Sequence, residues 1–259
     1  MPAPLPLVHE LHPPPDVAET LSRFADWPNV VLFDSASRRP ELGRYSFLTA
    51  DPIEFEELAN VPFGTDPFTR LRTWSHQFCA PSVPDLPPFQ GGIAGLLSYE
   101  LGGAWERLPR PAVDEFDLPW LAVGLYDWVI AWDHAQHRAW VISHGFPASE
   151  ANRERRAAER QQSVLARLGA ATTAAEAESK ILNRRAEISS PQNPLPGLAG
   201  LSSNFSKEAY LRVVERVIEY IRAGDIFQVN LSQRLLAPLT EHPLDLYGRL
   251  REQIGRAHV

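Results

Sequence analysis

Sulfur is scarce in this chain. One cysteine, Cys79, and one methionine stand among 259 residues. A single thiol closes no disulfide within the chain and leaves no zinc-ligand spacing. Cys79 ends an amphipathic stretch with no base nearby, so it reads as a small buried or half-buried side chain rather than a nucleophile. Positive charge is also short: 25 Lys and Arg face 32 Asp and Glu, a formal charge of -7. There is no basic patch, and a phosphate backbone would be repelled. The one dense basic run, Arg153 to Arg160, is interleaved with Glu154 and Glu159 and reads as a solvated helix face. Long apolar runs are missing as well; no stretch reaches the roughly 18 residues a membrane helix needs. The opening MPAPLPLVHELHPPP has neither a basic n-region nor an apolar h-region, so no signal peptide is expected and the cytoplasm is the default compartment.

What the chain has is apolar mass and proline. Apolar residues make up 44% and charged residues 22%, enough to bury a substantial core. The 24 prolines gather at Pro2–Pro15, Pro81–Pro88, Pro109–Pro119 and Pro191–Pro196, where they punctuate the chain. Asp16 after the Pro13–Pro15 run caps a helix expected to reach Trp27, with Val17, Leu21 and Phe24 as its apolar positions. Asn29–Ser35 is a strand by its β-branched and aromatic content, and Tyr45–Ala50 and Ile53–Leu58 are the next pair. Asp66-Pro67 starts a helix carrying Phe68, Leu71, Trp74 and Phe78.

Pro88–Gly103, PFQGGIAGLLSYELGG, holds five glycines. Its spacing fits neither the dinucleotide fingerprint nor the P-loop, so it reads as a tight strand crossing. Trp120–Trp132 and Arg138–His144 form a hairpin around DHAQH. Ser149–Leu168 is a helix. Ser189–Gly200 loses aromatics and reads as a surface linker. Beyond it Ser206 caps a helix with Tyr210, Val213, Val214, Val217, Ile218 and Ile221 on one face, and Gly224 ends it. GDIFQVNLSQR then enters a strand expected over Ile226–Leu236. Its Gln228, Asn230 and Ser232 alternate with Phe227, Val229 and Leu231.

These segments, in this order, resemble the family of aminodeoxychorismate synthase component I and anthranilate synthase component I. YLRVVERVIEYIRA followed by GDIFQVNLSQR resembles the entry to the chorismate-binding domain. FDS, GRYSF and ADP within Leu32–Pro52 resemble the family's N-terminal region. PFQGGIAGLLSYELG and LAVGLYDWVIAWDH resemble the aminodeoxychorismate branch. The resemblance implies an α+β fold, an anthranilate synthase component I-like α/β sandwich with large, mostly antiparallel sheets. Long hairpins without βαβ alternation agree with it. It implies an N-terminal region over 1–188, a linker over 189–205 and the start of the chorismate-binding domain over 206–253.

The resemblance also implies chemistry. Chorismate would be held on a magnesium ion, with ammonia from a glutamine amidotransferase partner displacing its 4-hydroxyl to give 4-amino-4-deoxychorismate. Gln228 matches the position at which related water-adding enzymes carry a lysine; a glutamine there takes no proton, so it would help to select the nucleophile. Ser35, Leu42, Gly43, Arg44 and Tyr45 match a pocket that holds tryptophan in some members, although Asp34 replaces a glutamate and Leu42-Gly43 replaces Tyr-Ser. Read by itself, Ser35 ends a strand and Arg44 pairs with a surface acid such as Glu41. The alternatives are anthranilate synthase component I and a non-catalytic module binding tryptophan or an amidotransferase. The family's lysine nucleophile and magnesium-binding glutamates have no match, so the chain is expected to be inactive by itself. For Ile254–Val259, IGRAHV, one choice of codons resembles a sequencing-library adapter, so these residues read as a foreign tail.

Overall fold

The structure, a computed structural model, describes residues 5–37, 42–109, 114, 116–148, 150–170 and 192–256. The chain divides into two units. The first spans Met1–Arg110, Asp117–Arg184 and Leu244–Val259; the second spans Pro111–Phe116 and Arg185–Pro243.

The first unit is built on two antiparallel sheets. Its elements are β1 (Leu7–Glu10), α1 (Val17–Phe24), β2 (Val31–Phe33), β3 (Tyr45–Thr49), β4 (Glu54–Leu58), α2 (Thr69–Gln77), β5 (Gly92–Leu97), β6 (Leu121–Tyr126), β7 (Trp128–Asp133), β8 (Arg138–Ser143) and α3 (Glu150–Gly169). One sheet has the order β1-β8-β7-β3-β2 and the other β4-β6-β5. These antiparallel ladders with helices beside them bear out the α+β expectation.

The long aromatic stretch explains the architecture. Every residue of β7 is buried. Trp128, Ile130 and Trp132 face one core with Phe24, Leu48 and Val141; Val129 and Ala131 face another with Trp140 and Ile142. A strand alternates faces with period two, so a continuous apolar run fits a strand covered on both sides. α1 and α3 supply the first cover, through Val17, Leu21 and Val164 among others. In the second sheet Leu121, Val123 and Leu125 alternate onto Trp74 of α2.

Several expectations need correction. Trp120–Trp132 is not one strand: β6 and β7 belong to different sheets and meet at Asp127. That carboxylate is fully buried, 3.4 Å from Arg160 Nε. Burial pushes it above its ordinary value, against the pull of Arg160 and Arg156. The hairpin turn is His134–His137, because Asp133 already pairs with Arg138. Tyr45–Ala50 and Ile53–Leu58 form strands that do not pair with each other; β3 lies between β2 and β7, while β4 lies beside β6. β1, unforeseen among the prolines, pairs with β8 from Leu7↔Ser143 to Glu10↔Trp140.

The arginine run is a solvated face only in part: Arg155 and Glu159 are exposed, whereas its other arginines are sheltered. Arg153 is buried and donates to the His144 carbonyl at 2.9 Å, Arg156 donates to that of Phe146 at 2.7 Å, and Arg160 reaches Asp51 Oδ2 at 2.6 Å. Positions three, four and seven apart share one helix face. Here that face carries guanidinium groups which satisfy loop carbonyls and carboxylates. Cys79 is exposed rather than buried. The glycine-rich segment is a close strand pairing as expected: a Cβ on Gly95 would lie 2.2 Å from the Ala122 carbonyl oxygen of β6.

The second unit contains β9 (Asn193–Pro194), β10 (Ser202–Ser203), α4 (Lys207–Ala223) and β11 (Leu235–Leu236), in a sheet of order β11-β10-β9. Two of these short strands lie within the stretch read as linker. Ser206 caps α4 by accepting from Ala209 N–H, and Gly224 ends it at φ 82°. The strand expected over Ile226–Leu236 is limited to Leu235–Leu236. A strand requires a partner for its backbone groups, and no strand among the described residues pairs with 226–234. Phe227 is 92% exposed. The chain returns to the first unit through α5 (Pro243–Arg256), whose Leu244 and Tyr247 pack against the core below α1 and β7. The helix runs through Gln253, the boundary before the tail; residues 257–259 lie outside the described residues. No helix among the described residues is long and apolar enough to cross a membrane.

Candidate functional site

β2 and β3 are antiparallel, with Phe33 opposite Phe47. This pairing brings the residues after β2 beside those that open β3. Ser35 Oγ donates to the Tyr45 carbonyl at 2.6 Å, and Ser35 N–H donates to Ser46 Oγ at 3.0 Å. Gly43 sits at φ 82°, and a Cβ there would lie 1.8 Å from the Ser37 carbonyl oxygen. Only glycine fits both that backbone and that approach. Leu42 is 70% exposed. Four of the sequence-derived positions, Ser35, Gly43, Arg44 and Tyr45, therefore meet around one turn, with Leu42 at its rim.

Arg44 does not need a surface acid. It clasps Asp133 at the end of β7, with Nη2 at 2.7 Å and Nε at 3.1 Å from Oδ2, and its guanidinium lies 4.8 Å from the centre of the Tyr45 ring. Glu41, the expected partner, lies outside the described residues. Asp133 Oδ1 accepts from the amides of Ala135 and Gln136. Burial opposes its charge, but the Arg44 and amide bonds prevail and hold the carboxyl below its ordinary range.

Asp34, noted only as a replacement for glutamate, is the centre of a second network. Its carboxylate is 8% exposed. It accepts from Ser46 Oγ at 3.0 Å, Tyr247 Oη at 2.6 Å and Arg251 Nε at 2.5 Å. Burial alone would raise its pKa; the bonds from Arg251 and Tyr247 outweigh it, and the carboxyl is held below its ordinary value. The same bond raises the Tyr247 phenol, which burial already disfavours as an anion. His134 Nε2 lies 2.8 Å from Ser46 Oγ. Ser46 has one proton and two lone pairs. It donates to Asp34 and accepts from Ser35 N–H, so His134 fills the remaining lone pair as a donor from Nε2. A hydroxyl so saturated has no free lone pair for attack. The cluster holds geometry and charge; it does not generate a nucleophile. A cleft of about 330 Å³ borders it, lined by Asp16, Trp132, Asp133, His134, His137 and Arg138 among others.

Gln228 belongs to the second unit and is exposed in a segment without regular structure. Among the described residues no three His, Cys, Asp or Glu side chains converge as a metal-ligand set. The described residues do not fit a magnesium centre.

A family model described as chorismate binding enzyme matches residues 34–257. Anthranilate synthase component 1 of Streptomyces coelicolor is 34% identical over 220 residues, covering 85% of this chain and 40% of that protein. Aminodeoxychorismate synthase component 1 of Bacillus subtilis is 28% identical over 234 residues, covering 86% and 45%. The crystal structure of anthranilate synthase component I from Streptococcus pneumoniae shares the fold, with a TM-score of 0.59 at 23% identity over 84% of this chain and 46% of that one. The chain thus spans less than half the length of these relatives.

Proposed function

The chain belongs to the chorismate-binding enzyme family, and from that premise we propose that it is part of an aminodeoxychorismate synthase component 1. A protein of the relatives' length would convert chorismate and ammonia to 4-amino-4-deoxychorismate on the route to folate. The ammonia would come from a glutamine amidotransferase subunit. Magnesium belongs to this reading, with its ligands expected outside the residues of this chain. It would neutralise the substrate's carboxylates and the charge that develops on the leaving oxygen. The cytoplasm is the compartment this reading requires.

The observation that carries the branch is the pair of segments Pro88–Gly103 and Leu121–His134, which resemble the aminodeoxychorismate enzymes and form β5, β6 and β7. A second reading, anthranilate synthase component 1, draws on the higher identity to the Streptomyces protein, 34% against 28%. A product assay on the protein expressed to the relatives' length separates them. With chorismate, ammonia and magnesium, 4-amino-4-deoxychorismate supports the first reading and fluorescent anthranilate the second.

In this reading Gln228 faces the reacting ring and favours ammonia over water, since it offers a hydrogen bond but no base. Gln228→Lys in that longer protein is expected to lower amination by about 100-fold, the scale of a misplaced acid–base group. Amination unchanged within about twofold in the same assay would remove Gln228 from the site. Ser35, Leu42, Gly43, Arg44 and Tyr45 form the candidate tryptophan pocket. Calorimetry with tryptophan tests it directly, and Arg44→Ala is expected to abolish any heat of binding.

A further inference from the structure

Between α2 and β5 the chain runs as a strap over residues 80–90. It covers the second face of the five-stranded sheet: Leu86 and Phe89 pack against Val129, Ala131, Trp140 and Ile142. Phe89 also meets Phe47 and Phe33 edge to face, at 5.7 Å and 6.3 Å between ring centres. Phe33 is the residue before Asp34 and Ser35. Pro81, Pro84, Pro87 and Pro88 have no N–H to give, so much of the strap cannot join a backbone ladder. The Gln90 side chain gathers it instead. Its Oε1 accepts from Val83 N–H at 2.8 Å, and its Nε2 donates to the carbonyls of Val83 and Pro87 at 2.9 Å and 3.3 Å. His144, just past β8, ties this knot to the sheet: its Nε2 lies 2.7 Å from the Gln90 carbonyl oxygen. A carbonyl only accepts, so Nε2 carries the imidazole hydrogen and Nδ1 keeps a bare lone pair. His144 is 7% exposed, and that Nδ1 is buried with no hydrogen-bond partner. A proton added there would be a buried donor without an acceptor. The charged groups around it give no help. α3 presents Arg153, whose Nε donates to the His144 carbonyl and whose guanidinium lies 4.0 Å from the centre of the Phe146 ring, and Arg156, bonded to the Phe146 carbonyl. The joint between β6 and β7 presents Asp127, whose carbonyl accepts from His144 N–H and whose carboxylate faces Arg160. The strap itself holds one charged residue, Asp85, which is exposed. Burial holds the imidazole below its ordinary value against the pull of the Gln90 bond, and the Arg153 cation adds to it.

We propose that His144 and Gln90 form an acid-released latch on the 80–90 strap: the strap stays closed while the imidazole is neutral and opens when it takes a second proton. In the open strap the imidazole meets water and titrates near its ordinary value of about 6.5. The open form therefore binds more protons than the closed one. The latch is fully held above about pH 6.5 and weakens as pH falls below it. Opening bares the apolar face under Leu86 and Phe89, and it takes Phe89 away from Phe33, next to Asp34 and Ser35. An effect on a ligand at Ser35 rests on the functional reading given above; the latch itself does not.

Hydrogen–deuterium exchange on the whole chain tests it, with no substrate required. The Val83 amide, bonded to Gln90, reports the strap. Its protection is referenced at each pH to a free peptide of residues 80–91. Protection should fall about tenfold between about pH 7.5 and pH 5.5, the most that one such imidazole supplies over that range, while the amides of β7 and β8 keep theirs. His144→Gln keeps an amide donor toward Gln90 but cannot titrate, so its strap should stay protected in acid. Gln90→Ala cuts the knot and leaves the imidazole in place. Its strap should lose protection already at neutral pH, and its His144 ring, followed by NMR, should titrate closer to the ordinary value than in the unaltered chain. Flat protection across the range overturns the latch. Equal loss in β7 and β8 also overturns it, since acid would then act on the whole unit. A His144→Gln strap that still opens in acid assigns the release to another group and overturns it. An unchanged His144 titration in Gln90→Ala does so too, and that measurement decides the matter if His144→Gln folds poorly. Because these signals involve neither chorismate nor tryptophan, they stand or fall apart from the proposed reaction.

Discussion

α1 and α4 obey the same pattern with opposite results. Each has a polar cap, Asp16 and Ser206, and an apolar face at helical spacing. α1 buries Val17, Thr20, Leu21 and Phe24, the last completely. α4 buries no residue: Ile218 and Ile221 remain 41% and 42% exposed. The contrast extends to the strands, where β7 is buried on both faces while 226–234 has no ladder. Local sequence can specify a helix or an alternating pattern. Burial has to be supplied by other elements, and it is burial that stabilises.

The comparison can be sharpened by substitution. Trp128→Ala removes a fully buried ring packed on Phe24 and Trp27, and its indole N–H bond to the Ala50 carbonyl. Denaturant titration should show a loss of about 3–5 kcal/mol, the cost of a large cavity. Gly95→Ala should cost about 1–3 kcal/mol by forcing β5 and β6 apart. A shift below about 0.5 kcal/mol would mean the strands separate freely there.

Acid sharpens the contrast further. Asp34 and Asp133 are held below ordinary carboxyl values. Their contribution is therefore fully present above the ordinary range near pH 4, and it is lost as pH falls through the lowered folded values. Thermal melts between pH 7 and pH 3 should show the first unit weakening in that window, with a shallower dependence in Asp34→Asn. The smallest effect is expected at the open helix face. Ile218→Glu should change unfolding free energy by less than about 0.5 kcal/mol and reduce light scattering at high concentration. A large destabilisation would show that α4 is covered after all.

Where the sequence was legible follows from the range of each interaction. Asp16, Ser206 and Gly224 act within four residues, and their caps were read correctly. The family match covers 34–257, and the α+β fold read from ordered motifs stands. Long-range partners were not readable. Arg44 finds Asp133 and Asp34 finds Arg251, 89 and 217 positions away. β1 was hidden because its partner β8 lies far along the chain. The arginines of α3 were misread because a charged helix face looks the same whether it meets water or carbonyl oxygens. Seven-residue spacing from Leu244 to Arg251 was the one hint of the α5 contact. The strand over 226–236 failed because alternation describes a face, not a neighbour.

Tyr126, Asp127 and Trp128 carry the chain from one sheet to the next with no loop between them. Most joints in a protein absorb a gained or lost residue in slack. This one has none. One added residue at Asp127 would turn every side chain of β7 to the opposite face, sending Trp128 and Trp132 toward the layer shaped for Val129 and Ala131. In-frame insertions and deletions should therefore be rejected at 126–128 even where point substitutions survive. A library of single-codon insertions along the gene would mark that joint as a gap in the tolerated positions.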